Sequence, residues 1–597
     1  MNTDASMNVT EAPVAEQNAT RREASWERAG RVSDVADEGP FALSAGGHDL
    51  VAIRTRGVLR VFEGRCPHQG ALLGEGELEE NTLICRNHRW QFDRATGQRI
   101  GGRQCLRECP SRVDGNDLLV DVGVLQKTDA NVAKRTLDDL PEPPAIPILG
   151  SALRIDPPRL HLVFEDWAKK YGPIYRVRLP RQDLVVVADG ELFGPLLRDR
   201  PDTYRRISNV EPIFDELSVS GVFSSEGEQW RAQRRLAMEA LSHKHLRGFY
   251  PTLAKVAERM RLRWAQAAEE GRVVDVAEDL KRFTVDVTTL LVFGRDLNTI
   301  EKEDDDVIQK HLAHFFPAFS RRLNAVIPLW RFFKLSADRK LDRALVALRE
   351  WLGERIAETR TALASDPERA QRPSNFLEAM IVARDAQGRP FSDEVIIGNG
   401  LTMLLAGEDT TAYTLAWAVH HLCDSPSASA TLRGEVDAVL GERRVPVDLD
   451  EAGRFSYATA VANEAMRLRP VAPIFFQEPL KDVVIGDVAI PKGTGLALLT
   501  YLTQRDEKNF VDAKAFRPER WITPPAGAHD ASASLPFGSG PRICPGRTLA
   551  LVEMRVVLAM LYRNFDVERV GRSRDVSEKL AFTLAPVGLN VRLRRRH

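Results

Sequence analysis

The stretch PFGSGPRICPGRTLA, residues 536–550, is the most specific string in this chain and indicates the architecture of most of it. Three glycines, at 538, 540 and 546, surround Cys544, and glycines let a backbone bend sharply and approach a neighbouring group closely. The Cys544 thiolate can bind a metal, and Arg542 offers a cation to an acidic group. Pro545 can begin a helix, where no N–H is missed. The stretch therefore predicts a metal-binding loop followed by a helix.

Length and composition limit what the rest of the chain can be. The 597 residues exceed what one hydrophobic core organises, so two or more domains are expected. A net charge of -1, with 28% charged and 43% hydrophobic residues, is typical of a globular protein and gives no basic surface for nucleic acid. Six cysteines are too few for a disulfide scaffold and fit a reducing compartment.

Residues 1–24 are predicted to form a disordered leader. They lack a basic start followed by an apolar run, and no later stretch gives about 18 uninterrupted apolar residues. We therefore expect a cytoplasmic protein without a transmembrane segment.

Local patterns divide the remainder into a β part and a helical part. Residues 25–124 alternate short β-branched runs with Gly-containing turns, which predicts a small all-β domain. Residues 125–145 are polar and then Pro-rich, which predicts a partly stiff linker with no core of its own. Residues 146–597 carry long stretches with apolar residues at i, i+3 and i+4 and few strand-like pieces. The second domain is therefore predicted to be mainly α with a minor β-sheet.

Residues 66–93, CPHQGALLGEGELEENTLICRNHRWQFD, contain four metal ligands in two groups. Cys66 and His68 are two positions apart, and Cys85 and His88 are three apart. Thiolates suit iron held with sulfide, and imidazoles can replace two of the thiolates on one iron. A structural zinc site is the alternative for two Cys and two His.

The flanks CPHQGALL and CxxHxWQFDxxTG resemble the Rieske ferredoxin domain over roughly residues 25–123. The resemblance implies a [2Fe-2S] cluster with Cys66 and Cys85 on one iron and His68 and His88 on the other. Arg89 departs from the glycine that usually follows the second histidine.

Residues 536–550 have the Phe-Gly-x-Gly-x-Arg-x-Cys-x-Gly form of the cytochrome P450 haem loop. Other family strings follow in order, so the resemblance covers nearly all of residues 140–597. It implies haem b, with Cys544 as the thiolate ligand and Phe537 as part of the cofactor-binding loop. It also implies that Arg542 holds one haem propionate, while Trp230 and Arg234 of EQWRAQRR reach the other. Thiolate ligation favours O–O cleavage.

Two further strings bear on how the haem is held. NEAMR and FRPERW supply Glu464, Arg467 and Arg520, which the resemblance identifies as a buried charge triad. After LRPVAPIFF many relatives carry an arginine that binds a propionate, whereas this chain has Gln477 near that place. Haem anchoring by that strand is therefore an open question.

The string LLAGEDTTAY, residues 404–413, resembles the oxygen-activation motif of the same family. Ala406 and Gly407 are expected to leave space over the iron. A Thr hydroxyl can bond back to the preceding turn and open a helix there. The resemblance implies that Asp409 relays protons from solvent and that Thr410 holds the water that delivers them. A capping-type Asp-Thr pair at a helix break is the alternative.

Three other functions compete with a monooxygenase. A Rieske non-haem oxygenase needs two His and a carboxylate on one iron, usually with His-x4-His spacing, and the twelve histidines do not supply that spacing. A redox or gas sensor has no need of the acid–alcohol pair. A peroxide-using haem enzyme has no need of an attached electron carrier.

The sequence therefore predicts a haem-thiolate monooxygenase that inserts one oxygen atom from O2 into an apolar substrate, with electrons reaching the haem through the Rieske cluster. No Gly-x-Gly-x-x-Gly site follows a strand, so the expected partner is a separate NAD(P)H-dependent ferredoxin reductase. The aromatic residues of 314–335 and of VAPIFF, residues 471–476, are expected to roof and line an apolar pocket. An ordinary hydrophobic core would explain them equally well.

Overall fold

A computed structural model describes residues 24–35, 39–55, 58–67, 71–85, 90–100, 104–125, 133–180, 182–217, 219–302, 315–325, 328–385, 388–523 and 529–596. The chain divides into two compact units, residues 1–130 and 131–597. The finer bounds, a leader ending at residue 24 and a linker over residues 125–145, stay predictions. The expectation that the linker has no core of its own was wrong at Leu140, which is buried in a hydrophobic cluster of the second unit.

The first unit is built from antiparallel strands in three small sheets, in the orders β1-β10-β9, β2-β3-β4-β8 and β5-β6-β7. Its strands are β1 (Trp26–Arg31), β2 (Phe41–Ala45), β3 (His48–Thr55), β4 (Val58–Glu63), β5 (Glu77–Glu79), β6 (Thr82–Ile84), β7 (Gln91–Asp93), β8 (Glu108–Cys109), β9 (Ser111–Asp114) and β10 (Asp117–Asp121).

Strand β3 shows how this unit is organised. Val51 and Ile53 pack in one hydrophobic cluster, while Leu50 and Ala52 pack in another on the opposite side. Successive residues of a strand point to opposite faces, so one buried strand serves two cores. The all-β prediction is confirmed.

The second unit is mainly helical. Its helices are α1 (Leu160–Tyr171), α2 (Gly190–Arg198), α3 (Glu211–Glu216), α4 (Gly227–Ala240), α5 (His243–Glu269), α6 (Val276–Phe293), α7 (Phe315–Asn324), α8 (Ser336–Ser365), α9 (Pro367–Gln371), α10 (Phe376–Val382), α11 (Asp393–Cys423), α12 (Pro426–Leu440), α13 (Leu449–Gly453), α14 (Ser456–Leu468), α15 (Thr500–Thr503) and α16 (Arg547–Asn564).

Short strands form the minor β part of this unit, as predicted. They are β11 (Ile174–Val177), β12 (Leu184–Val187), β13 (Tyr204–Arg205), β14 (Val274–Asp275), β15 (Phe475–Pro479), β16 (Val483–Ile485), β17 (Val488–Ile490), β18 (Gly495–Leu498), β19 (Phe565–Arg569), β20 (Ser577–Leu580), β21 (Leu584–Val587) and β22 (Asn590–Arg595). The largest sheet has the order β11-β12-β18-β15-β13.

Helix α11 runs through the centre of this unit and packs against α6 and α14. Ser392 caps it through the Val395 N–H, and Asp393 and Glu394 in the first turn complement the helix dipole. Most of its length is buried, as expected of a helix that is apolar on nearly every face. Among the helices of the described residues, none combines the length and the apolar character needed to span a bilayer.

The charge triad predicted from NEAMR and FRPERW forms in the core. The Glu464 carboxylate accepts hydrogen bonds from Arg467 at 2.7 and 2.9 Å and from Arg520 at 3.0 Å. The Trp521 indole N–H donates to the same carboxylate at 2.9 Å. Because all three charged groups are buried, each depends on the others for its charge compensation.

Candidate functional site

The loop over residues 536–546 is closed on itself before α16 begins. The Cys544 N–H donates to the Phe537 carbonyl at 2.9 Å. Helix α16 begins at Arg547, two residues after Pro545. The expectation that Pro545 is the first residue of the helix was therefore wrong. Gly546 caps the helix instead, because a residue at that place keeps its C=O for the first turn.

Two of the three loop glycines have left-handed backbones. Gly538 and Gly540 both have φ +71°, which side-chain-bearing residues rarely adopt. A Cβ at Gly540 would lie 2.5 Å from the Leu197 carbonyl oxygen, so this glycine also permits close approach to α2. Gly546 has φ -80°, and a Cβ there would make an ordinary van der Waals contact at 3.8 Å from the Cys544 sulfur, so neither its backbone nor its described surroundings require a glycine.

The Cys544 side chain is exposed, whereas Ser539 and Gly540 of the same loop are buried. Burial raises the pKa of the Cys544 thiol, while the N–H groups of Gly546 and Arg547 and the guanidinium of Arg234 favour the thiolate. An accessible sulfur with donors and a cation around it fits a thiolate that binds iron.

Arg542, Trp230 and Arg234 come together near this loop, as the resemblance implied. The Arg542 guanidinium lies over the Trp230 ring, 4.2 Å from its centroid. Burial lowers the pKa of Arg234, and the charge of Cys544 opposes that shift, so the two side chains are close neighbours. The roles of these residues at a haem propionate stay predictions.

The surroundings of Arg542 contain more positive charge than sequence reasoning expected. Arg200 and Arg206 lie near it, and the described residues place one carboxylate, Glu226, among them. Burial lowers the pKa of Arg542 to about 10 and that of Arg206 to about 9, and mutual repulsion adds to both shifts. Such a cluster fits a cofactor that brings carboxylates of its own.

Thr410 makes the bond expected of it within α11. Its hydroxyl donates to the Ala406 carbonyl at 2.8 Å, one turn back. Ala406 is exposed in an otherwise buried stretch, which agrees with space on that side of the helix. The explanation offered for Gly407 was wrong: a Cβ there would lie 2.6 Å from Thr288 Oγ1, so the glycine allows α6 and α11 to approach.

Asp409 is held by groups that the sequence did not reveal. The hydroxyls of Tyr413 and Thr583 hydrogen-bond to its carboxylate, and the Lys281 ammonium lies nearby. Burial raises the pKa of Asp409, whereas Lys281 and the two hydroxyls oppose that shift. Tyr413 follows Asp409 by four residues and could have been found from helix spacing, but Lys281 and Thr583 are brought in only by the fold.

Glu408 is a second buried acid beside Asp409. Burial, with repulsion from Asp409, raises the pKa of Glu408 above its ordinary value. Lys281 also lies near Glu408 and forms a 3.0 Å ion pair with Glu278, whose side chain is largely open to solvent. These groups connect the surface to the neighbourhood of Thr410.

The predicted aromatic roof is buried in part only. Phe319 is buried among other rings, 4.8 Å from Phe214 and 5.4 Å from Phe582, as ring centroids. Phe332 and Phe333 are each 72% exposed, so the second half of the predicted stretch does not cover a pocket in this structure. His314 lies outside the described residues.

In the first unit, Cys66 and Cys85 occupy two loops that are closed in the same way. The Cys66 N–H donates to the Ala71 carbonyl at 2.8 Å, and the Cys85 N–H donates to the Trp90 carbonyl at 2.8 Å. Both cysteines are buried in one hydrophobic cluster. His68, His88 and Arg89 lie outside the described residues. Two buried thiols on paired loops fit the cysteine side of a [2Fe-2S] site.

The fold and these sites define a redox protein in which a thiolate loop and a central acid–alcohol helix are joined to a small β unit with paired cysteine loops. The chain belongs to the cytochrome P450 family, because the family model for Cytochrome P450 matches residues 140–593. A Rieske [2Fe-2S] domain model matches residues 25–111. The chain is therefore a fusion of a Rieske domain and a cytochrome P450 domain, which are domains that hold a [2Fe-2S] cluster and haem.

Characterised relatives agree with this family. A self-sufficient cytochrome P450 monooxygenase CYP505E3 from Phanerodontia chrysosporium is 29% identical over 453 residues, which are 75% of this chain and 42% of that protein. Cytochrome P450 27C1 from Danio rerio is 28% identical over 484 residues, 77% of this chain and 87% of that protein. The chain thus spans less than half of the first relative and most of the second.

Proposed function

We propose that this protein oxygenates an apolar organic substrate and that its electrons come from a separate NAD(P)H-dependent ferredoxin reductase through the fused Rieske cluster. The observation that carries the proposal is the presence, in one chain, of the buried cysteine pair Cys66 and Cys85 and the accessible thiol Cys544. A haem enzyme that activates O2 needs two single electrons, and an attached carrier supplies them one at a time.

Each cofactor has residues that would hold it. Cys544 would bind the haem iron, with Arg542, Trp230 and Arg234 near the propionates and Phe537 in the same loop. Cys66 and Cys85, with His68 and His88, would bind the cluster. When bound, the haem supplies O2 activation at an iron with a thiolate ligand.

The protein's own part in the chemistry is proton supply. Asp409, kept close to Lys281, receives protons from the surface and passes them towards the Thr410 hydroxyl. The Thr410 oxygen, already donating to Ala406, keeps its lone pairs to accept a hydrogen bond from the water that carries the proton.

The substrate class follows from the rings that line the unit's interior. Phe214, Phe223, Phe319 and Phe582 form a contiguous aromatic cluster. Such a wall favours an apolar substrate, for example a fatty acid, terpenoid, steroid or hydrophobic aromatic compound. We also propose a cytoplasmic location, because six cysteines in 597 residues are too few for a disulfide scaffold.

The test is anaerobic formation of the ferrous–CO haem spectrum with NAD(P)H and a ferredoxin reductase. The intact chain is compared with Cys85→Ser, and Cys105→Ser, an exposed cysteine of the same unit, is the matched control. We expect fast formation in the intact chain and in Cys105→Ser, and slow formation in Cys85→Ser. Dithionite with CO confirms that every variant retains its haem.

Equal rates in all three proteins would show that the first unit is bypassed, and a sensing or structural role would then replace the proposal. A fast reaction with peroxide alone, with no effect of the reductase, would favour a peroxide-using enzyme.

A further inference from the structure

Arg200 is a buried residue whose guanidinium has two nitrogens without a hydrogen-bond partner among the described residues. The residue follows α2 and is 7% exposed. Within the described part of the chain, its Nε and Nη2 atoms have no hydrogen-bond partner. The nearest carboxylate oxygen, Glu226 Oε1, is 3.9 Å from Nη2, beyond hydrogen-bonding distance. A buried cation with two unpartnered nitrogens is costly, which points to a missing anion.

The single carboxylate nearby is already used by other groups. Glu226 accepts a hydrogen bond from the Arg542 guanidinium and another from the Arg206 backbone N–H, the latter at 3.1 Å. Arg206 is also satisfied elsewhere, since its Nε donates to the Phe223 carbonyl at 3.1 Å and its guanidinium lies 3.7 Å from the Phe223 ring centroid. Among the three guanidinium groups of Arg200, Arg206 and Arg542, that of Arg200 therefore has the most unpartnered nitrogens within the described residues.

The charge balance around Arg542 is positive. Arg200, Arg206 and Arg542 surround the Glu226 carboxylate, and Arg234 adds a further positive charge near Arg542. Haem b carries two propionate groups. The Nε atom of Arg542, which has no partner among the described residues, adds a second unused donor beside Trp230.

Gln477 supplies an independent observation. It stands where the family resemblance places a propionate-binding arginine, and it is fully buried on β15. Its Nε2 donates to the Leu196 carbonyl of α2 at 3.4 Å, and no described group donates to its Oε1. Strand β15 thus carries the neutral amide of Gln477, while the segment after α2 carries the incompletely hydrogen-bonded guanidinium of Arg200.

We propose that Arg200 binds a haem propionate and supplies the cation that strand β15 lacks in this chain. The guanidinium fork of Arg200 suits a carboxylate, and its position beside Arg542 assigns it to the propionate side of the haem. The proposal rests on the haem-binding role of this unit and adds a residue to it.

The experiment measures haem release from the holoprotein to apomyoglobin. Arg200→Met is compared with the intact chain and with Arg231→Met, an arginine on the exposed face of α4. Loss of a charge-assisted hydrogen bond costs roughly 1.5–3 kcal/mol, so Arg200→Met should release haem about ten- to a hundred-fold faster. Release as slow as that of Arg231→Met would overturn the proposal.

A second measurement separates a lost propionate contact from general damage. Each protein is also reconstituted with haem dimethyl ester, which lacks both carboxylates. The ratio of ester release to haem release should be large in the intact chain and in Arg231→Met and should fall about tenfold or more in Arg200→Met. An unchanged ratio would overturn the proposal even if both rates rose. If Arg200→Met does not fold, Arg200→Lys is used, and the same ratio as the intact chain counts against Arg200.

A compensating substitution tests the relation to β15. Arg200→Met with Gln477→Arg should regain slow haem release, because the strand then supplies the cation. Release as fast as that of Arg200→Met alone would contradict the compensation.

Unchanged haem release in Arg200→Met, with weaker spectral binding of laurate, would assign the anion to the substrate and overturn the haem assignment. Loss of the ferrous–CO spectrum in the intact chain itself would instead count against the proposed function.

Discussion

At the scale of single residues, the Thr410 hydroxyl makes one hydrogen bond within α11, and its part in proton delivery is a proposal. Its hydroxyl proton is committed to the Ala406 carbonyl at 2.8 Å, so its oxygen can only accept from a neighbouring water. That arrangement fixes the direction in which a hydrogen-bonded water must point. The proposed proton delivery therefore requires the Thr410 hydroxyl and does not depend on the size of the side chain.

Replacing Thr410 by Ala should uncouple the enzyme. We expect NAD(P)H consumption to continue while product formed per NAD(P)H falls at least tenfold and hydrogen peroxide rises, since proton transfer by a positioned group contributes typically 10²- to 10⁴-fold. The matched control is Thr414→Ala, one turn further on, whose hydroxyl donates to the Thr410 carbonyl in the same way. Equal coupling in the two variants would contradict the role given to Thr410.

Glu553 is a buried acid on α16 that should make stability depend on pH. It is 2% exposed, and burial raises its pKa to about 8, against a hydrogen bond from Thr411 that lowers it. Between the ordinary value of 4.5 and about 8, the folded protein keeps the proton that the unfolded chain releases. The contribution of Glu553 to stability is therefore present below pH 4.5 and is lost as pH rises through about 8.

Glu553→Gln should remove that dependence. The variant should gain on the intact chain by up to about 1.4 kcal/mol per pH unit across this interval, because the neutral amide has no proton to lose. Urea midpoints from pH 5 to pH 9 measure the difference. Glu350→Gln, on the exposed surface of α8, is the control, and parallel pH profiles for the intact chain and Glu553→Gln would refute the prediction.

At the scale of elements, motifs and long apolar repeats predicted what local sequence controls. The loop around Cys544, helix α11 and the Glu464 triad follow from short strings, because their partners lie within a few residues or in other recognisable strings. Arg200, Lys281 and Thr583 carry no such signal. Their positions depend on how distant elements pack, and the reason given for Gly407 failed since the helix facing it could not be known.

The segment after residue 132 shows the same limit. Arg135 forms two hydrogen bonds with Asp487 at 2.6 and 3.0 Å, and the Ala489 N–H donates to the Arg135 carbonyl at 2.8 Å. Leu140 is buried in a hydrophobic cluster of the second unit. Composition predicts a linker without a hydrophobic core here. In the structure, residues of the hairpin formed by β16 and β17 pack against Leu140.

Release of this segment should be visible as tryptic cleavage after Lys134 and Arg135. Asp487→Ala removes a partly exposed ion pair, worth about 0.2–1 kcal/mol, and should speed cleavage only a few-fold. Leu140→Ala removes a buried side chain, worth about 2–5 kcal/mol, and should speed it at least tenfold. Leu153→Ala, at an exposed leucine, is the control. The reverse order of the two variants would mean that charge, rather than burial, holds the segment.

At the scale of the whole molecule, the proposed electron transfer from the cluster to the haem is intramolecular, because both sites lie on one chain. Short flexible tethers give effective concentrations on the order of millimolar, far above micromolar protein. A mixture of Cys85→Ser and Cys544→Ser chains, each lacking one site, should therefore recover less than about a hundredth of the haem reduction rate of the intact chain. The rate of the intact chain should not change on dilution with reductase held in excess. Full recovery in the mixture would show that the covalent connection contributes nothing.

The potential of the cluster decides whether that connection can drive reduction of the haem. Rieske centres span roughly -150 to +300 mV, and each ~59 mV uphill costs a factor of ten in one-electron transfer. Cys66 and Cys85 are buried among apolar side chains, which disfavours the negative charge added on reduction and lowers the potential. We therefore expect a midpoint near the negative end of the range, measured by potentiometric titration with EPR detection.

The Arg99 guanidinium, 3.5 Å from the Trp90 ring centroid, is a cation close to one cysteine loop, so Arg99→Leu should lower the midpoint further. A strongly positive midpoint in the intact chain would leave the cluster too weak a reductant, and electrons would then have to reach the haem directly from the reductase.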